Sequence, residues 1–324
     1  MDHGTLVSDA FQALSRCLGT TSSDTQLLKC SKSGNVLLSL RVADTFVIAK
    51  LCRGDYPYEA GIYEVLAGER QDESVAPRLL GQCESPNGLG QWLFCEMGEG
   101  VSGDHVRRNL SRYLAKLRHV HRLPTRPFET ALPGRYGRMG RRQWSRQLLT
   151  NLELIACLGD RLGIDVAVDP ADWCNRLDWM ADVRYCAPAT LVHGDACLDN
   201  WIVMRGDVRL VDWELARIDD PLVDVQALTL FMSEEAALDA VRSSVAADED
   251  APAGAQFRER FSVARAEYCI RLAAWFLGRA ATRDLATEGA GRFTGLLDRP
   301  PEGPASLAKR ALEALRAQQA MARE

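Results

Sequence analysis

The sequence predicts an α+β protein, with a small antiparallel-sheet lobe over residues 1–98 and a mainly helical lobe over residues 99–324. Three observations carry that reading. Short β-prone runs separated by turn residues crowd between residues 25 and 96. Beyond residue 98 the apolar positions recur at helical spacing. The length of 324 residues suits two domains of about 100–200 residues each.

The elements follow in chain order. Val7, Phe11, Leu14 and Leu18 mark one face of an amphipathic helix over 5–18. TQLLKC, NVLLSLRV and TFVIAKL, separated by SKSG and AD, read as an antiparallel meander over 25–51. YEAGIYEVLAGE (58–69) reads as a helix with Ile62, Val65 and Leu66 on one face and Gly68 near its end. RLLGQC and QWLFCE flank SPNGLG, where Asn87-Gly88 between apolar runs signals a hairpin. Leu110, Tyr113, Leu114 and Leu117 then share a helical face, as do Trp144, Leu148, Leu152 and Ile155. Phe257, Phe261, Ala264, Tyr268, Leu272 and Trp275 form a longer stripe, and all three stripes read as core. One strand region interrupts the helices: ATLVHGD, then NWIVMRGDVRLVDWE with a hairpin turn at Arg205-Gly206-Asp207. Residues 245–255 and 297–304 read as loops by composition.

Composition narrows the function classes. With 47% apolar and 26% charged residues the chain has an ordinary globular composition, neither disordered nor collagen-like. The net charge of −5 argues against a general nucleic-acid or acidic-membrane binder. The ten cysteines stand singly with no CxxC spacing, so zinc-ribbon and thioredoxin readings fail, and most read as small buried hydrophobes in a reducing compartment. MDHGTLVSDAF does not read as a signal peptide and no apolar run reaches membrane-spanning length; a cytoplasmic location is expected.

Chemistry concentrates in His193-Gly194-Asp195-Ala196-Cys197-Leu198-Asp199-Asn200 and in Val211-Asp212-Trp213-Glu214. Phosphoryl transfer needs a carboxylate near the attacking hydroxyl and oxygen ligands that hold Mg²⁺ on the nucleotide phosphates. Asp195 is the candidate for the first task; Asn200 and Asp212, the latter returned by the hairpin, are candidates for the second. A thiol-nucleophile reading of Cys197 with His193 lacks a third orienting group, so Cys197 reads as filler. Glu214 is left open between facing substrate and solvent.

HGDxxxxN followed by a strand and DWE resembles the aminoglycoside phosphotransferase family, small-molecule kinases with a two-lobed protein-kinase-like fold. The resemblance touches residues 25–100 and 190–226 and implies roles for further positions. Val47-Ile48-Ala49-Lys50 is similar to the strand bearing the phosphate-binding lysine, with Glu59, favoured over Glu64, as ion-pair partner of Lys50. SKSGN is similar to the family's serine-bearing nucleotide loop, which brings in Ser31, Ser33 and Gly34. Trp92–Gly100 resembles the hinge, where Glu96 and Gly98 would read the base through main-chain groups. Asp220-Pro221-Leu222-Val223-Asp224 resembles the GDPxxDL segment, with Asp219 in place of its glycine and Asp224 as a hydrogen-bond partner of the catalytic loop.

The resemblance implies ATP or GTP as co-substrate, held between the lobes with Mg²⁺. It also implies transfer of the γ-phosphoryl to a hydroxyl-bearing small molecule, with neither nucleic acid nor membrane as partner. An antibiotic of aminoglycoside, nucleoside or peptide type, phosphorylated to confer resistance, is the leading acceptor. A metabolic kinase of choline, homoserine or a sugar is the alternative. No APE motif follows Asp212, which argues against a protein kinase. A non-catalytic nucleotide-binding module would need a lost acid or metal ligand, and none is lost. Arg135, Arg138, Arg141, Arg142 and Arg146, interleaved with Tyr136 and Trp144, form the sharpest charge cluster and are the sole support for a nucleic-acid-binding regulator.

Overall fold

The computed structural model describes residues 3–30, 36–53, 58–68, 74–132, 139–166, 169–186, 189–230, 232–245, 254–281 and 311–313. The chain runs α1 (His3–Leu18), β1 (Asp24–Cys30), β2 (Val36–Val42), β3 (Thr45–Cys52), α2 (Glu59–Ala67), β4 (Leu79–Glu84), β5 (Gln91–Glu96) and β6 (Glu99–Gly100). Helices follow: α3 (Gly103–Arg108), α4 (Leu110–His121), α5 (Thr125–Ala131), α6 (Arg141–Leu162) and α7 (Pro170–Tyr185). Then come β7 (Thr190–Val192), β8 (Trp201–Met204), β9 (Asp207–Leu210), β10 (Arg217–Asp219), α8 (Leu222–Thr229), α9 (Glu234–Val245) and α10 (Gly254–Ala281). The architecture is α+β, a small antiparallel sheet followed by a mainly helical remainder. Among the described residues no helix is long and apolar enough to cross a membrane.

The contacts divide the chain into two compact units. The first takes in Met1–Gly100, Arg126–Arg135 and Trp201–Ala216. A cut at residue 98 misses the last of these segments, because the β8–β9 hairpin returns to pair β8 with β6 through Glu99↔Val203. The unit's main sheet has the order β1-β2-β3-β5-β4, antiparallel throughout. Alternation gives it two faces. Leu38, Leu40, Val47, Ala49, Leu51, Trp92 and Phe94 are buried against Leu6, Ala10, Ala13 and Leu14 of α1. The pairs Ser39↔Ile48, Ile48↔Cys95 and Lys50↔Leu93 therefore share the opposite face.

A buried carboxylate pins α1 to the β4–β5 hairpin. Asp9 accepts from Ser85 Oγ and Trp92 Nε1, each at 2.7 Å, and from Asn87 N at 2.9 Å. Gly90, at φ 140°, is required there, since a Cβ would strike the Cys52 carbonyl.

The second unit comprises Val101–Thr125, Tyr136–Asn200 and Arg217–Glu324 in its described parts. Trp144, Leu148, Leu152 and Ile155 of α6 pack with Trp173, Leu177 and Met180 of α7 and with Ile270, Phe276 and Leu277 of α10. The stripe expected on α10 is too narrow. Trp275 is 37% exposed, while Ile270, Ala273, Ala274, Phe276 and Leu277 are buried, because α10 is covered on most sides. The single strand region expected after residue 188 also divides. β7 pairs with β10 through Val192↔Arg217, whereas β8 and β9 belong to the first unit.

Candidate active site

In the first unit β3 presents Lys50 to Glu59 and Asp212. Lys50 Nζ lies 2.6 Å from Glu59 Oε2, 2.5 Å from Asp212 Oδ1 and 3.7 Å from Glu214 Oε2. Burial alone would depress the ammonium, but the carboxylates, Asp212 first and then Glu59, outweigh it and hold Lys50 well above the ordinary lysine range. Lys50 is therefore a fixed cation. Glu64, the other carboxylate of α2, pairs instead with Gln82.

The local backbone explains how Asp212 arrives. Val208 and Leu210 are buried strand positions, and Leu210 N donates to Val75 O at 2.7 Å. The chain then turns at Asp212, which sits at φ 67°, ψ 59°. That left-handed conformation costs a non-glycine residue about 1–2 kcal/mol, and Asp tolerates it better than most. The turn aims Trp213 N at Glu59 Oε1, 3.0 Å away, so one buried glutamate ties Lys50 to the DWE segment. Trp213 itself is fully buried.

One ligand oxygen each from Glu59, Asp212 and Glu214 lies within 4.8 Å of the others. Three nominal carboxylates around one ammonium leave a charge of −3 + 1 = −2. A hard divalent cation with oxygen ligands suits that donor set and that charge. Glu214, which the sequence left open between substrate and solvent, thus joins the acidic group beside Lys50.

In the second unit β7 delivers the His193–Asn200 loop. Gly194 adopts φ 81°, which favours glycine, and the chain bends there. Asp224 of α8, 1% exposed, accepts from His193 N and Gly194 N at 2.8 Å each and contacts His121 Nε2 at 3.1 Å. Burial pushes its carboxyl up, but the hydrogen bond and charge of His121, together with His193, win and hold it below the ordinary range. His193 Nδ1 accepts from Asp195 N at 3.3 Å. Asn200 Nδ2 donates to Asp195 O at 2.8 Å and to Asp195 Oδ2 at 3.3 Å, so Asn200 fixes the orientation of the Asp195 carboxylate. A held, half-buried carboxylate of this kind can orient a hydroxyl and take its proton.

The other expected positions fall as follows. Glu96 ends β5, its side chain 3.0 Å from Arg78 Nη2 and 3.2 Å from Arg205 Nη2. Gly98 lies where a Cβ would meet Met204, Ile202 and the Val203 carbonyl, so β8 demands glycine there. Ser31, Ser33 and Gly34 lie outside the described residues, as do Arg135, Tyr136 and Arg138. Within the arginine cluster, Arg141 pairs with Asp182 and donates to Asp178 O, and Trp144 is core. Cys197 is fully buried.

The sequence profile of the phosphotransferase enzyme family (APH) matches residues 41–264. The chain belongs to that family. No curated protein matches it significantly in sequence. Solved structures share its fold. Wild-type aminoglycoside 2'-phosphotransferase-IIIa, in its GDP complex, superposes with a TM-score of 0.60 at 12% identity, over 99% of this chain and 98% of that one. Macrolide 2'-phosphotransferase type I gives 0.59 at 14% identity, over 91% and 98%. A choline/ethanolamine kinase family protein from Mesorhizobium loti gives 0.56 at 18% identity, over 90% and 92%.

This phosphotransferase-family chain departs from the expected GDPxxDL pattern at Asp219, and the structure supplies a reason. Asp219 is buried and pairs with Arg184 Nη2 at 2.6 Å and Arg217 Nε at 2.9 Å. Burial raises its carboxyl, but Arg217 and Arg184 more than reverse this and hold it below the usual range. Arg184 also bonds Glu267 of α10 at 3.0 Å, and Asp220 pairs with Arg260 at 3.0 Å. These ion pairs fasten the segment that leads to Asp224. Sequence reasoning missed Arg184 and His121, which lie 35 and 103 positions from the Asp219 and Asp224 carboxylates they hold.

Proposed function

We propose that the chain is a small-molecule O-phosphotransferase that moves the γ-phosphoryl of ATP or GTP to a hydroxyl of an antibiotic of aminoglycoside, nucleoside or peptide type, conferring resistance. The observation that carries the reading is the ordered Asp195 carboxylate, held by Asn200 and by an HGD loop bonded to Asp224. Family membership supports phosphotransfer, and the GDP complex of one relative in fold supports a nucleotide co-substrate.

In this reading Lys50, fixed by Glu59, neutralises nucleotide phosphate, and Asp195 orients the acceptor hydroxyl and accepts its proton. Ser31, Ser33 and Gly34 are proposed to meet the phosphates, and main-chain groups of Glu96 and Gly98 the base. Asp212 and Asn200 are the proposed Mg²⁺ ligands, with Glu214 within the same acidic group as Asp212. A bound Mg²⁺ would neutralise charge on the transferring phosphoryl. Asp212 would exchange its bond with Lys50 for that role.

A metabolic kinase of choline, homoserine or a sugar is the second reading, favoured by the choline/ethanolamine kinase family protein at 18% identity. A screen of hydroxyl-bearing antibiotics and metabolites with γ-labelled ATP and GTP separates the two. Label transferred to an antibiotic, with protection of a sensitive bacterium that expresses the chain, supports the first. Transfer confined to choline, homoserine or a sugar replaces it with the second.

A further inference from the structure

Cys17 in the last turn of α1 and Cys83 in β4 are both half-buried, and each reaches into the other's segment. Cys17 Sγ donates to Gln82 O at 3.5 Å, and Cys83 Sγ donates to Ala13 O at 3.5 Å. Ala13 stands one helical turn before Cys17, and Gln82 adjoins Cys83. The crossed bonds therefore set the two thiols side by side between α1 and β4. The sheet makes room for this approach: a Cβ at residue 81 would collide with the Cys17 sulfur and the Leu18 side chain, and residue 81 is glycine. Cys52 in the same unit is engaged differently, against the Glu59 carboxylate at 3.6 Å.

We propose that Cys17 and Cys83 are a redox modification site, oxidised by a low-molecular-weight disulfide to a reversible bond between α1 and β4. One protein thiol loses its proton and attacks the small disulfide, forming a mixed disulfide and expelling one small thiolate. The second protein thiol, deprotonated in turn, attacks the protein sulfur of that mixed disulfide and expels the other. Two protein S–H groups and one R–S–S–R become one protein S–S bond and two R–SH; the protein pair is oxidised and the small disulfide reduced. Burial pushes the Cys83 thiol up to about 11 and raises Cys17 as well, so thiolate is scarce at neutral pH. The rate rises about tenfold per pH unit below that range, because the thiolate is the nucleophile. The bond closes a loop that contains β1, β2, β3 and α2, and it fixes the C-terminal turn of α1 where Asp9 already fixes its middle. Constraining so long a loop in the unfolded chain raises the melting temperature.

The test treats the full chain with glutathione disulfide at pH 7.5 and 8.5, alkylates remaining thiols and maps peptides by mass. The expected result is a peptide pair joined through Cys17 and Cys83, lighter by two hydrogens, released by reductant, and formed about tenfold faster at the higher pH. The oxidised chain is expected to melt higher than its reduced form, a rise absent in Cys17→Ser and Cys83→Ser. Full alkylation of both cysteines, glutathione retained on either, or a bond from either to another cysteine would overturn the proposal. The mapping uses the unaltered chain, so a variant that fails to fold leaves it decisive.

Discussion

Replacing Asp224 with Asn changes one atom type at the point where α8 meets the HGD loop. The carboxylate accepts from His193 N through one oxygen and from Gly194 N through the other, with His121 Nε2 on the first. The amide keeps one acceptor and turns an NH₂ toward the remaining donor. Leaving a buried donor unsatisfied costs about 1–3 kcal/mol, and the surviving bonds weaken as the charge is lost. The expected destabilisation is about 2–4 kcal/mol at pH 7, read by urea unfolding with circular dichroism. Asp224→Ala orphans both amides and costs about 2–6 kcal/mol by the same reasoning. The pH dependence has a defined sign. The folded-state carboxyl lies below its ordinary range, so its stabilisation is full above the unfolded value of about 3.9 and is lost as pH falls through the lower folded value. The gap between the native chain and Asp224→Asn therefore narrows in acid. A loss below about 0.5 kcal/mol at pH 7, or a gap unchanged into acid, would refute the anchoring argument.

Other consequences follow from the same geometry. Lys50→Met should weaken nucleotide affinity measured by calorimetry, since it removes the cation that Glu59 and Asp212 hold in place. Arg184→Met leaves Asp219 and Glu267 buried beside a vanished partner and should cost about 3–5 kcal/mol in urea unfolding. Gly98→Ala brings a Cβ within 2.6 Å of Met204 Cγ and 2.9 Å of Val203 O; it should cost about 1–3 kcal/mol, measured as a lowered midpoint.

What was legible in the sequence is what short-range pattern encodes. The β-prone runs VLLSLRV and TFVIAKL, set apart by turn residues, gave β2 and β3, whereas the β3–β5 register that sets Lys50 opposite Leu93 joins strands that are not consecutive and has no local signal. Helical spacing gave α4 and α6. The missed helix α7 had a start signal, Asp169 before Pro170, and Asp169 does cap it through Ala171 N at 2.9 Å. β10, three residues long, is too short for any period to show. At the site, the HGD and DWE segments were visible as local strings. The bonds that hold them join His121, Arg184 and Glu59 to residues as many as 154 positions away, a separation no local pattern reports. Asp219 shows the same limit: a departure from the family pattern in sequence, it is satisfied by a distant arginine in space.

The central claim is that Asp195 takes the proton of an acceptor hydroxyl during phosphoryl transfer. Single-turnover transfer from γ-labelled nucleotide to the acceptor found by the screen, by the native chain and by Asp195→Asn, tests it directly, with Mg²⁺–nucleotide affinity measured calorimetrically on the same samples. The account predicts transfer slowed by about 10²–10⁴-fold with nucleotide affinity retained. Transfer at close to the native rate by Asp195→Asn, or a loss that merely tracks lost nucleotide binding, would contradict it.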